Sequence, residues 1–286
     1  MILLDYSGIA VAAIFSQDRP EEIQEGLIRH MILNTIRRYN VQHRDKYGKM
    51  VIACDAHSWR KEAFPNYKAK RKTNRDESPL DWTEFFRLIN MVKEELNEYM
   101  PYPVIYSEGA EADDVIAVLT KETQEFGKDE PVLIISPDKD FFQLHKYKNV
   151  KQYSPMKRDF ITIDDPHKYL FEHICKGDTG DGVPNILSGD NVFVDGLRQS
   201  PMYKKKIEDW YECRWELDLN MSDEEYRNFQ RNTKVIDLDY TPEPIVEDIK
   251  KQFNEQQEKP NNKILNYLIE KRCSMLVEAA ADFQTK

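Results

Sequence analysis

The apolar positions in the first half of this chain fall in short runs separated by longer amphipathic stretches. Ile2-Leu3-Leu4 starts almost at the N-terminus and ends in Asp5. Met50-Val51-Ile52-Ala53-Cys54 ends in Asp55, Val104-Ile105-Tyr106 is a third run, and Val132-Leu133-Ile134-Ile135-Ser136 a fourth. Between them, Ile23, Leu27, Ile28, Met31, Ile32 and Ile36 recur at helical spacing, as do Trp82, Phe85, Phe86, Ile89, Val92, Leu96 and Tyr99. A further helix is expected to begin near Glu111. Short apolar strands alternating with helices predict an α/β fold with a mostly parallel sheet covered on both faces. Residues 150–163 read as a hairpin turning around 156–159. From Asp164 onward the pattern is helical with polar loops, and 254–262 reads as a loop or frayed helix end. A soft boundary near 164 divides an α/β core, 1–163, from a helical region, 164–286.

The acids are placed with more regularity than the strands alone require. Asp5 and Asp55 end the first two strands, Glu111, Asp113 and Asp114 open the helix after the third, and Asp138 and Asp140 follow the fourth. In an open parallel sheet the carboxyl ends of the strands share one edge, where ligands bind. Acids gathered there repel one another and demand a cation. Oxygen donors without His or Cys suit Mg²⁺ or Mn²⁺, and this many carboxylates can hold two ions. Such a pair activates a water and clamps the attacking and leaving oxygens of a phosphodiester. Singly, each acid is as well explained by a turn or by a helix N-terminus. Four successive strand ends carrying acids are not.

Composition first points away from nucleic acid, and then back toward it. The 286 residues hold 51 Asp and Glu against 41 Lys and Arg, a formal charge of −10. The global acidity conceals a basic stretch. Arg60, Lys61, Lys68, Lys70, Arg71, Lys72 and Arg75 share sixteen residues with one acid, Glu62, and are interleaved with Trp59, Phe64 and Tyr67. Cations with aromatics suit phosphate contact and base stacking. Leaving the sheet directly after Asp55, the stretch should overhang the acidic edge as an arch over about 57–79. Lys176-Gly177-Asp178-Thr179-Gly180-Asp181-Gly182 is a tight turn between helices, and is not an EF-hand, because glycines stand where that loop needs oxygen side chains. Asp178 and Asp181 could reach the metal site, and an Asx-type loop explains the segment equally well. The apolar run 8–15 is too short to span a bilayer, no secretory signal is expected at Met1, and Cys54, Cys175, Cys213 and Cys273 are scattered free thiols suited to a reducing cytoplasm.

Taken in order, Asp5, Asp55, Glu111-Ala112-Asp113-Asp114, Asp138-x-Asp140 and Gly177-Asp178-x-x-Asp181 resemble the 5′ nucleases. That family comprises flap endonucleases, the 5′-nuclease domain of bacterial DNA polymerase I and phage 5′→3′ exonucleases. Tyr67-Lys68-Ala69-Lys70-Arg71 is similar to the family's arch motif. The stretch from Phe141 through Gln143-Leu144-His145-Lys146-Tyr147 to Ser154-Pro155-Met156 resembles the branch found in T-even bacteriophages. The resemblance implies a Mg²⁺-dependent 5′→3′ exonuclease and flap endonuclease acting on branched, nicked or flapped DNA and on RNA–DNA hybrids, removing RNA primers in phage replication. By the same resemblance Asp5, Asp55, Glu111, Asp113, Asp114 and Asp138 would hold one Mg²⁺, directly or through water, and Asp140, Asp178 and Asp181 a second. Lys68 and Arg71 would face the scissile phosphate with Asp138 among the catalytic groups. Tyr67 would lie near the unpaired nucleotide, and Arg60, Lys70 and Lys72 would add DNA contacts.

Residues 177–184 would form the hairpin of a helix–three-turn–helix motif around a K⁺ ion, with Gly177, Gly182, Lys204 and Lys205 against duplex backbone. The chain departs from the family at 192–201, where the helix expected after the hairpin is irregular. A monomer in a bacterial host's cytoplasm, with a single-strand DNA-binding protein as partner, completes the expectation. Two other readings compete: a phosphohydrolase with an aspartyl nucleophile, which needs a second acid near Asp5 where Tyr6-Ser7 stands, and a non-catalytic branched-DNA-binding module, which has no use for the acidic cluster.

Overall fold

The computed structural model describes residues 1–15 and 23–285, the side chains of Lys72, Asn74 and Phe126 excepted. A six-stranded sheet organises it, in the order β3-β2-β1-β4-β5-β6. The strands are β1 (Ile2–Asp5), β2 (Met50–Ala53), β3 (Val104–Ile105), β4 (Val132–Ile135), β5 (Val150–Ser154) and β6 (Asp159–Ile161). All neighbours are parallel except β5 and β6, which form the expected hairpin with Tyr153 opposite Phe160. The chain starts in the middle at β1, builds outward to β3, then returns to β4 on the other side of β1. That reversal leaves a crevice beyond the carboxyl ends of β1 and β4.

Helices cover both faces, because alternate side chains of each strand point to opposite sides. Ile2, Leu4, Ile52, Leu133 and Ile135 face a core closed by α1 (Tyr6–Phe15), α2 (Glu25–Tyr47) and, beyond the arch helices α3 (Arg60–Ala63) and α4 (Lys70–Asp76), by α5 (Trp82–Tyr99). Leu3, Val51, Ala53, Ile105 and Ile134 face α6 (Ala112–Gln124). The third and fourth clusters join α7 (Pro166–Lys176), α8 (Lys204–Glu212), α9 (Leu217–Asn220) and α10 (Asp223–Ile236) to one another and to the base of the arch.

Residues 164–286 do not stand apart from the core as one unit. α11 (Glu243–Glu255) places Ile249 in the cluster beside α6, and α12 (Ile264–Glu270) and α13 (Ser274–Val277), followed by Phe283, close the cluster on the opposite face. Gln252 and Gln256 also pair their side-chain amides with backbone groups of Tyr106 and Val104, at 2.9–3.2 Å, so the open edge of β3 is not left unpaired. After the hairpin at 177–183, residues 184–203 run as turns, and the next helix begins only at Lys204. Among the described residues no helix is long and apolar enough to cross a membrane.

Candidate two-metal centre and basic arch

The crevice is built from strand ends. Asp5 leaves β1 as α1 begins, and its carboxylate accepts from Gly8 N–H at 3.0 Å and from the Ser136 hydroxyl at 3.0 Å. A Cβ at Gly8 would lie 2.9 Å from Asp5 Oδ2, so any side chain there would push the Asp5 carboxylate out of its present position. Asp55 accepts from Ala112 N–H at 2.8 Å, which ties the end of β2 to the start of α6. The turn carrying Asp138 is held from below by Gln152 of β5, buried, whose amide donates to the Ser136 and Asp138 carbonyls at 2.9 and 2.6 Å. A cleft of about 350 Å³ lies between Asp5, Ser136, Asp138, Asp140, His173 and Asp178.

The electrostatics of the cleft are those of carboxylates brought together with too little positive charge among them. Burial, then the nearby Asp55 and Asp138, pushes Asp5 up to about 6. Burial and the neighbouring Asp138, Asp181 and Asp178, against the opposing His173, push Asp140 up to about 7. Burial with Asp138 and Asp140 raises Asp113 well above the carboxylate range. These couplings run without a break from Asp55 to Asp181. Asp5, Asp55, Asp113, Asp138, Asp140, Asp178 and Asp181 therefore form one field, and oxygen donors in such a field suit hard divalent cations.

Asp114 is the exception, and the expectation that it joins the metal ligands is corrected. Its side chain is fully buried and receives both Arg60 amino groups at 2.9 Å, the Thr241 hydroxyl at 2.9 Å and Glu111 N–H at 2.9 Å. No lone pair is left facing the cleft. Arg60 is corrected with it: 2% exposed, it spends its Nε on the Val235 carbonyl at 2.8 Å and its amino groups on Asp114 and Glu111, so it reaches no solvent phosphate. It clamps the arch base to α6 and α10.

Tyr67 is likewise buried, at 3%, with its hydroxyl 2.9 Å from Glu111 and 2.8 Å from Asp181. It braces two acids instead of offering a ring to a base. Glu111 is at the cleft wall, where burial opposes its charge but Lys68 and Arg60 outweigh it and hold it down at about 2. Lys68 contacts both Glu111 and Asp181, the latter at 3.4 Å, and Arg71 meets Asp181 at 2.6 Å. Backbone joins the same elements: Lys68 N–H donates to the Asp181 carbonyl at 2.7 Å. The arch does overhang the acidic edge, enclosing with it a space of about 500 Å³ lined by Asp55, Lys61, Lys68, Arg71, Arg75 and Phe86. Lys70 is exposed, its ammonium 5.9 Å from the Phe193 ring centroid, and the Lys72 side chain lies outside the described residues.

In the hairpin, Gly177 has φ +68°, and a Cβ there would sit 2.4 Å from the Val183 carbonyl oxygen. At Gly182, φ +73°, an added Cβ would sit 3.2 Å from the Asn66 carbonyl oxygen of the arch. Both glycines thus serve the packing of hairpin on itself and on the arch. Lys204 and Lys205 are exposed on the first turn of α8, where Lys204 approaches Glu208 at 3.5 Å and neither lines the cleft. Sequence reasoning missed Gly8, Ser136, Gln152 and His173. Only Ser136, at the end of the fourth apolar run, carried any positional signal.

Residues 1–170 match the family described as the 5′–3′ exonuclease N-terminal resolvase-like domain, and residues 166–283 match the C-terminal region of T4 RNase H. The ribonuclease H of Enterobacteria phage T4 is 35% identical over 98% of this chain and 95% of its own length. A flap endonuclease Xni from Shewanella pealeana is 27% identical over 68% of this chain and 75% of its own. Among solved structures, the T5 D15 protein co-crystallised with metal ions has the same fold, with a TM-score of 0.62 at 18% identity, covering 90% of this chain and 99% of that one. With both halves of its length matched in this way, the chain belongs to the 5′–3′ exonuclease family of phosphodiester-cleaving nucleases.

Proposed function

We propose that the protein uses two divalent metal ions, Mg²⁺ with Mn²⁺ able to substitute, to cleave 5′ ends and junctions in flapped, nicked and branched DNA and in RNA–DNA hybrids. Its role in phage replication would be removal of RNA primers with adjacent DNA. The observation that carries this reading is the unbroken field of seven carboxylates facing the arch cations Lys68 and Arg71. Asp5, Asp55, Glu111, Asp113 and Asp138 would hold one ion, and Asp140, Asp178 and Asp181 the other. When bound, the ions supply Lewis-acid activation of a water and charge neutralisation at the phosphodiester.

The chain's own residues do the rest. Lys68 and Arg71 now rest on Glu111 and Asp181, the position a phosphate would contest. A substrate phosphate drawn under the arch exchanges these contacts for its own, placing two cations where charge develops during cleavage. Ser136 and Gly8 N–H keep the Asp5 carboxylate aimed, and Gln152 keeps the Asp138 turn in register. Lys70, Lys72, Lys204 and Lys205 would contribute sequence-independent phosphate contacts, weakening with salt. The hairpin 177–184 would lie along duplex backbone with a K⁺ ion. Metal-bound and DNA-bound T5 nuclease structures, which share the fold, support the assignment. The same reading takes in a monomer, a single-strand DNA-binding protein as partner and action in the host cytoplasm. The test is one gel comparing a 5′-flap, a nicked duplex and an RNA–DNA hybrid. Cleavage is expected with Mg²⁺ and none with chelator. Binding without cleavage in Mg²⁺ would make the protein a branched-DNA-binding module instead.

A further inference from the structure

We infer that His173 is a ligand of the second ion, which makes that half of the centre a mixed nitrogen–oxygen site favouring Mn²⁺ and other imidazole-binding divalent ions over Mg²⁺. The inference rests on the two-metal reading and concerns which atoms hold one of the ions. His173 lies in the last turn of α7, five residues before Asp178. Its Nε2 is 3.5 Å from Asp178 Oδ2 and 3.6 Å from Asp140 Oδ1. One potential ligand atom from each of these three residues lies within 4.8 Å of the other two.

Three observations separate a ligand from a simple ion pair. Among the described residues, buried Nε2 has no hydrogen-bond partner, an unusual state for a polar atom in a cleft of acids. Its separations from the carboxylates are long for charge-assisted hydrogen bonds, which close to about 2.7–2.9 Å. They fall instead between the edges of an octahedral shell, roughly 3.0 Å cis and 4.2 Å trans for bonds of about 2.1 Å. The third observation is the other ring nitrogen. Nδ1 is 3.5 Å from the Tyr169 hydroxyl, and Tyr169 is itself packed on Phe142 at 5.0 Å between ring centroids. Ligating histidines are oriented by such an outer partner on the far nitrogen.

The consequence is selectivity. Mg²⁺ prefers oxygen and gives up water reluctantly, whereas first-row transition ions accept an imidazole nitrogen more readily, Zn²⁺, Fe²⁺ and Ni²⁺ most and Mn²⁺ least among them. An oxygen-only set would treat Mg²⁺ and Mn²⁺ more nearly alike.

The experiment titrates the full chain and its His173→Ala and His173→Gln variants with Mn²⁺ and separately with Mg²⁺ by calorimetry. Electron spin-echo modulation on the Mn²⁺-loaded proteins reads nitrogen directly. Wild type should show a ¹⁴N modulation that both variants lose. Mn²⁺ affinity at one of two sites should fall at least about tenfold in the variants, with Mg²⁺ affinity changing less than Mn²⁺ affinity. Metal-free melting temperatures show that the variants are folded, and His173→Gln keeps a polar side chain if the alanine variant is not. No nitrogen modulation in wild type with both sites loaded overturns the inference. So do equal losses of Mn²⁺ and Mg²⁺ affinity, which indicate a purely electrostatic role. If Mg²⁺-dependent cleavage persists while nitrogen is absent, the two-metal reading stands and His173 falls alone. If no divalent ion binds wild type, both fall together.

Discussion

Arg60 carries a charge suited to a phosphate and uses it on buried carboxylates. Its neighbour Asp114 has no exposed surface and depends on that guanidinium. Replacing Arg60 with Met leaves the Asp114 charge uncompensated, and breaking a buried pair in this way costs about 3–5 kcal/mol. Urea denaturation of Arg60→Met should show that loss, while flap affinity per folded molecule stays within about twofold, the expectation for a residue that touches no phosphate. Unchanged stability with reduced affinity would restore the phosphate contact. Residue identity and position were enough to find the acids at the ends of β1, β2 and β4, because a strand followed by an acid is a one-dimensional signal. They could not separate Asp113 from Asp114. Those neighbours project from one turn of α6 about 100° apart, one toward the cleft and one toward Arg60. Tyr67 went astray for the same reason: an aromatic among cations reads alike whether it is solvated or buried.

Elements were legible where a period existed. The helix ending at Tyr99, the hairpin of β5 and β6, and the strands β1 to β4 all follow from apolar spacing. The run 8–15 has no polar stripe to mark a period, so helix α1 was not visible in it, although its Gly8 meets Asp5. The hairpin at 177–183 is the element on which the second half of the proposed centre depends, since it carries Asp178 and Asp181 and receives the arch backbone. Gly177→Ala forces a Cβ to 2.4 Å from the Val183 carbonyl oxygen at a φ that alanine disfavours. It should cost about 2–4 kcal/mol, roughly 5–10 °C in a thermal melt, and cut cleavage by at least about tenfold. Gly26→Ala in α2, with no described atom within 4 Å of its added Cβ, is the control and should be neutral or slightly stabilising. An intact melt and full activity for Gly177→Ala would remove the hairpin from the argument.

At the scale of the molecule, the nine acids first assigned to the site nearly equal the whole formal charge of −10. That concentration has a pH signature. Asp5 and Asp140 are raised to about 6 and about 7, above their ordinary value near 4, so the folded protein binds more protons than the unfolded chain between those limits. Stability of the metal-free protein should therefore fall as pH rises from about 4 to 7. Glu111 and Asp178, held down near 2, contribute in the opposite sense at lower pH and do not disturb this window. Millimolar Mg²⁺ replaces protons as the neutralising charge, so it should raise the melting temperature more at pH 7.5 than at pH 5. A Mg²⁺ response independent of pH would argue that the ion binds elsewhere.

By itself the sequence determined four of the parallel strands and the periodic helices between them, the edge on which the acids gather, the basic stretch that faces them and the family to which they belong. All of these are properties of order and spacing along the chain. Tertiary structure decided which charges are available. It buried Arg60, Asp114 and Tyr67, brought His173 between Asp140 and Asp178, and wrapped the C-terminal helices over both faces of the α/β core, across the soft boundary expected near 164. The physical reason is that local propensity acts over a few residues. The burial and pairing of a charge are set by groups far away in the sequence, as Arg60 is by Val235 and Asp114 by Thr241.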